Sequence, residues 1–220
     1  MEVAEQTALD KSTTSRLLGF MHKRQLVARD PVTRRYTVGP ALLSLAAFAL
    51  QGSDLRRVSR PYLEQIRDLT GETVSLHLRV GGERVCVDGV ESPHVVRRVL
   101  PLGQPMPLYS GPSGKVILAY LPKAEIEEIT KSAHLPTEAR TALARQLEEI
   151  GRLGFMVAVG DRTAGVGAVS VPLFNPLGPA ASITVAGPAD RWNLTRLREH
   201  APAIADMASE ISAALGGRRP

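Results

Sequence analysis

One cysteine, Cys86, stands among 220 residues, which leaves no internal disulfide framework and no multi-cysteine metal site. Long apolar runs are missing too. The longest, Ala41 to Leu50, covers ten residues and contains Ser44, whereas a helical bilayer span takes about 20. Glu2 and Glu5 follow Met1 directly, so the opening is not read as a secretory signal. The five histidines, His22, His77, His94, His134 and His200, show no H-x-x-x-H pairing for a metal. These absences predict a cytoplasmic chain with no membrane, metal or cofactor partner. What is present is 44% hydrophobic and 22% charged residues, enough for a packed core and unlike a disordered chain.

The net charge of +5 is unevenly placed. Residues 11–35 hold Lys11, Arg16, Lys23, Arg24, Arg29, Arg34 and Arg35 against Asp30 alone, a net +6, so the other 195 residues net −1. A patch of this kind attracts phosphate backbones, although a solvated surface without a partner gives the same charge run. Its spacing is informative. Val3, Ala4, Ala8 and Leu9 give a brief apolar helical face, and Asp10-Lys11-Ser12 offers cap oxygens for a second helix. There Leu17, Leu18 and Met21 predict one buried stripe. Val27 and Arg29, the turn Asp30-Pro31-Val32-Thr33-Arg34, then Tyr36 and Val38 predict a β-hairpin.

Two helices and a hairpin make a winged helix-turn-helix, whose second helix enters the major groove by its N-terminal residues. Lys11, Ser12, Thr13 and Thr14 are then candidates for phosphate or base edges, and Arg16 for a bidentate guanine contact. Arg34 and Arg35 at the hairpin tip would neutralise phosphate. A further helix normally precedes these two, so the DNA-binding core is expected to be incomplete, with its first helix missing.

An Ala/Leu-rich helix after Gly39-Pro40 leads to Gly52-Ser53-Asp54, where a domain boundary is expected. The expected organisation is a partial DNA-binding domain over 1–39, a linker helix over 40–53 and a second domain over 54–220. The helical period from Leu55 to Leu69 predicts a kink or restart at Pro61. Val74, Leu76, Leu78 and Val80 alternate with Ser75, His77 and Arg79 as a half-buried strand. Arg84–Val90 and Val95–Leu100 are read as its antiparallel neighbours, and Pro101–Pro107 as irregular. Helices follow at Lys115–Leu121, Glu125–Thr130 and Thr137–Leu153, the last stopped by Gly154. Strands at Phe155–Val159, Gly167–Leu173 and Ala180–Gly187 precede a helix from Asn193 to Leu215 and a tail expected to be disordered. The class is α+β.

Catalytic motifs fail. Gly111-Pro112-Ser113-Gly114-Lys115 lacks a phosphate loop's first glycine, where Tyr109 stands, and its following Ser or Thr, where Val116 stands. No G-x-S-x-G occurs, and Cys86 alternates with valines as a packed thiol. The chain is therefore not expected to be an enzyme; a hydrolase or transferase with a degenerate site is the weaker alternative, as is a stand-alone sensory module. Gly111 to Gly114 bring backbone N–H groups to a helix start suited to a carboxylate, or else form a simple turn capped by Ser113.

Leu9-Asp10-Lys11-Ser12-Thr13-Thr14-Ser15-Arg16-Leu17-Leu18 resembles the recognition-helix stretch of the IclR family of bacterial transcriptional regulators. Arg29-Asp30-Pro31 through Arg35-Tyr36-Thr37-Val38-Gly39-Pro40 is similar to that family's wing and linker entry, with Arg34 in place of its usual turn glycine. Ala168-Val169-Ser170-Val171-Pro172-Leu173-Phe174-Asn175 matches the end of the family signature; Gly154 fits its beginning, while Ala158 replaces Asp or Ser and Asp161 replaces Glu. The resemblance implies a GAF/PAS-like C-terminal domain, an antiparallel sheet with flanking helices, that binds a small organic acid or aromatic effector. It also implies a homodimer or a dimer of dimers on double-stranded operator DNA. Carried over, the effector pocket comprises Pro112, Ser113, Gly114, Ala158, Ala168, Ser182 and Thr184. With alanine at 158 and 168, the expected effector is larger or more apolar than a two-carbon keto acid.

Overall fold

The computed structural model describes residues 2–51 and 54–220. Gly52 and Ser53, at the expected boundary, lie outside the described residues. The chain divides into two compact units, Met1–Ser53 and Asp54–Pro220.

In the first unit α1 (Glu2–Thr7) and α2 (Lys11–Lys23) precede a hairpin of β1 (Val27–Arg29) and β2 (Tyr36–Val38), then α3 (Pro40–Gln51). Asp10 starts α2 by accepting from Thr13 N at 2.9 Å and from Ser12 Oγ at 2.7 Å, which satisfies a helix-end donor. Those bonds hold its carboxyl far below the usual range. At the hairpin tip Asp30 Oδ1 accepts from Val32 N at 2.8 Å and Thr33 N at 2.7 Å. The chain then turns through Arg34 at φ +58°. That left-handed conformation costs a side-chain-bearing residue about 1–2 kcal/mol, which is why glycine suits the position. The stripe expected from Leu17, Leu18 and Met21 is not buried. Leu17 is 49% exposed and the other two half-buried. The buried residues of this helix pair are the small Ala4 and Thr14, and Thr14 lies on the same face of α2 as that stripe, one turn nearer its start.

The second unit holds α4 (Asp54–Thr70), β3 (Thr73–Val80), β4 (Glu83–Val90), β5 (Pro105–Pro107), α5 (Pro112–Leu118), α6 (Lys123–Ser132), α7 (Thr137–Leu153), β6 (Met156–Val159), β7 (Val166–Asn175), β8 (Gly178–Pro188) and α8 (Leu194–Ala214). Its six strands form one antiparallel sheet in the order β5-β4-β3-β8-β7-β6. The two-residue period of strands sorts their side chains. Val74 and Leu76, Val169, Val171 and Leu173, and Ala181, Ile183 and Val185 face a core closed by Leu63 and Ile66 of α4 and Leu197, Ala201, Ile204 and Ile211 of α8. A second core joins α5 to α7 through Val116, Ile117, Leu118, Leu143, Leu147 and Ile150.

Four expectations need correction. Val95–Leu100 is not a strand: one edge of β4 is taken by β3 and the other by β5, and Val95 is 93% exposed. Within the segment expected to be irregular, Pro105–Pro107 forms an edge strand, the place where prolines cost no ladder bond. α4 runs unbroken through Pro61. The tail is placed: Arg219 Nη2 donates to Gly151 O at 2.6 Å and Arg152 O at 3.0 Å, a cation on the carbonyl end of α7.

Candidate functional site

On the face of the sheet away from α4 and α8, a cavity of about 80 Å³ opens between the strands, the start of α5 and segments 98–101 and 161–163. The same alternation that sends aliphatic residues to the core sends Thr73, Ser75 and His77 of β3, Arg84 of β4, Ala168 of β7 and Thr184 and Ala186 of β8 here. β3 is buried on both faces over Thr73–His77. Its polar alternate residues therefore line a cavity rather than meet bulk water.

Of the residues implied by resemblance, Pro112, Ser113, Ala158, Ala168 and Thr184 line this cavity. Gly114 and Ser182 do not, and act on its walls instead. A Cβ on Gly114 would lie 2.3 Å from Leu108 O and 2.6 Å from Arg84 Nη1, so only glycine admits this approach. Ser182 Oγ donates to Ser113 O at 2.8 Å, tying the start of α5 to the sheet. Thr184 shares its hydroxyl hydrogen bond with Ser170, at 2.7 Å.

Sequence reasoning missed the charged lining: His77, Arg84, Arg98, Asp161 and Arg162. Arg84 is 1% exposed. Its Nε donates to Ser113 Oγ at 2.6 Å and its Nη1 to Pro107 O, and burial, then Arg162, lowers its pKa to about 10. Among the described residues no carboxylate pairs with Arg84, Arg98 or Arg162. Asp161, the one acid in the lining, has both oxygens on Lys115 Nζ, at 2.6 and 2.8 Å. His77 is 3% exposed and its Nδ1 has no partner. The signal available beforehand was the strand period, which puts His77 opposite the aliphatic face; Arg98 and Arg162 sit on irregular segments that carry no period. The alanines at 158 and 168 line a cavity whose polarity comes from β3, β4 and the segments beside it.

Burial, followed by the charges of Arg84 and Arg162, lowers the His77 pKa to about 3. The unfolded chain therefore binds an extra proton between pH about 3 and 6.5, and stability falls as pH drops below 6.5, by up to about 1.4 kcal/mol per unit. In urea unfolding at pH 7 and pH 5, the parent chain should lose about 2 kcal/mol more than His77→Gln. Equal losses would mean that the folded state protonates His77 normally. Cys86, 1% exposed and with its pKa raised to about 11 mainly by burial, is an inert thiol.

In the other unit Lys11, Ser12, Arg16, Arg34 and Arg35 are exposed and Thr13 half-buried. Thr14 departs from its expected role: it is 8% exposed, and its Oγ1 donates to Asp10 O at 3.0 Å, turned into the helix pair. Among the described residues no group of three His, Cys, Asp or Glu could hold a metal, and no helix is long and apolar enough to cross a membrane.

A small basic unit ahead of a separately folded unit with a ligand-sized cavity is the organisation of a bacterial transcriptional regulator. The family pattern described as bacterial transcriptional regulator IclR C-terminal matches residues 47–213. The HTH-type transcriptional repressor AllR of Escherichia coli K12 is 28% identical over 215 residues, 94% of this chain and 79% of that protein. The IclR crystal structure from Thermotoga maritima superposes with a TM-score of 0.72 at 30% identity, covering 98% of this chain and 90% of that one. A regulator from Silicibacter sp. reaches a TM-score of 0.88 at 23% identity, over 100% and 89%, a likeness of fold. The chain belongs to the IclR family, whose members are transcriptional regulators and not enzymes.

Proposed function

We propose that the chain is an effector-responsive, sequence-specific DNA-binding regulator, with a small organic ligand in the second unit modulating operator binding by the first. The observation that carries this reading is the separation of charge. Residues 11–35 carry a net +6 on exposed side chains of α2 and the hairpin, while the cavity lies in a unit whose 20 cations and 18 acids net only +2 over residues 54–220. The first unit acts as a winged helix-turn-helix element: Lys11, Ser12, Thr13 and Arg16 present donors at the start of α2, and Arg34 and Arg35 meet phosphate. Because the AllR relatives are named repressors, repression in the cytoplasm is the mode expected.

The effector changes DNA affinity only through unequal affinity for two arrangements of paired DNA-binding units. A homodimer or dimer of dimers supplies that pairing. Leu43 and Leu45 of α3, 66% and 60% exposed, offer apolar surface to it in the first unit. Gel-shift titration of duplex DNA from the chain's own promoter region should show log affinity falling against log salt by about 0.9 per neutralised phosphate. A flat salt response, or no binding, would contradict the reading.

A further inference from the structure

The cavity lining gathers His77, Arg84, Arg98 and Arg162 among apolar side chains. At the buried end stand Arg84, whose Nη2 makes no hydrogen bond to the described residues, and His77, whose Nδ1 has none either. At the open end stand Arg162, exposed, and Arg98, half-buried. Met106, Ala158, Val166, Ala168 and Ala186 are its apolar lining. The two ends are near each other. A Cβ on Gly111, which has φ +77°, would lie 3.3 Å from both Arg84 Nη2 and Arg162 Cδ.

An unpaired buried guanidinium is costly, and a second cation alongside makes it costlier. The chain itself does not relieve this, since Asp161 is spent on Lys115. We propose that the cavity binds a small dicarboxylate, one carboxylate taken by Arg84 Nη2 and His77 Nδ1 and the other by Arg162 with Arg98. His77 acts uncharged, as the tautomer with hydrogen on Nδ1, and completes the inner site as a donor. A single carboxylate fills the inner end but leaves Arg162 and Arg98 facing each other unneutralised. The cavity of about 80 Å³, against about 10–15 Å³ needed to admit a single water, limits the ligand to a short chain and favours malonate or succinate over longer diacids. The proposal rests on the reading of this cavity as the effector pocket and narrows the organic ligand to a dianion.

Thermal shift and calorimetric titration of the full chain should compare malonate, succinate and glutarate with propionate, butyrate and valerate, and with inorganic phosphate. At least one dicarboxylate should bind about tenfold tighter than its monoacid counterpart and than phosphate. Arg162→Gln, at the exposed end, should erase that preference by weakening diacids far more than monoacids; Arg84→Gln should weaken both. The proposal is overturned if dicarboxylates and monoacids bind within about twofold of each other, if phosphate matches the best diacid, or if no dicarboxylate binds. It is also overturned if Arg162→Gln keeps the preference. A gel shift separates the two readings. A diacid that binds with this arginine dependence but leaves DNA affinity unchanged sinks the regulator reading and spares the dicarboxylate site. A neutral or monoacid ligand that releases DNA does the reverse.

Discussion

Replacing Arg16, Arg34 and Arg35 together by alanine should lower duplex-DNA affinity about a hundredfold and, through the two phosphate contacts of Arg34 and Arg35, reduce the salt slope by about 1.8 per protomer. All three are exposed and none has an acidic partner among the described residues, so the change removes charge without opening the core. The single variants should differ in kind. Arg16→Ala, near the start of α2, should flatten discrimination between operator and unrelated duplex, because a base-edge contact carries sequence information. Arg35→Ala should weaken both duplexes equally. Arg34→Gly should separate charge from shape: it lowers affinity like Arg35→Ala while relieving the φ of +58°. Gel shifts over a salt series, paired with urea unfolding of each variant, measure these effects. An unchanged salt slope in the triple variant would place the DNA contact elsewhere.

The largest loss of stability is expected from Trp192→Ala, about 3–5 kcal/mol, out of the 5–15 kcal/mol that holds a typical domain together. Trp192 is 1% exposed and belongs to the core between α4, α8 and the sheet. Its Nε1 donates to Val185 O at 3.4 Å and its ring meets His200 edge-on at 5.2 Å. β7 has made room for its backbone as well. A Cβ on Gly167 would stand 1.9 Å from Trp192 O, so Gly167→Ala should also destabilise, by forcing strand and turn apart. Since Trp192 is the chain's single tryptophan, unfolding is followed by circular dichroism. A loss below about 1 kcal/mol would show that the core closes over the gap.

Much of the fold was legible where local chemistry and tertiary need agree. Asp10 with its cap geometry marks the start of α2, and Gly154 at φ +85° marks the end of α7. β3, β7 and β8 are readable from alternation because one face of each is uniformly aliphatic. What alternation does not say is what covers the other face. Ser75 and His77 read as the wet side of a sheet, yet α5 and the neighbouring segments enclose them, and this turns a polar face into a cavity lining. Val95, Val96 and Val99 have strand composition, but both edges of β4 are already taken, by β3 and β5. The order of the tail depends on Arg219 finding carbonyls 67 and 68 residues away, a contact with no local signal.

The segment that closes the cavity is held unlike the rest of its unit. Among the described residues, 91–100 make no backbone–backbone hydrogen bond. Side chains fasten the segment instead: Thr73 Oγ1 donates to Arg98 O at 2.7 Å, Arg191 Nη2 donates to Val96 O at 2.8 Å, and Ser92 N donates to Thr73 Oγ1 at 3.0 Å. Parting these few bonds leaves every strand ladder intact. Amide exchange should therefore find this segment opening at the low end of the free-energy scale, ahead of the strands. A ligand enclosed beneath it gains and loses access through that local opening, while the sheet that carries His77 and Arg84 stays folded.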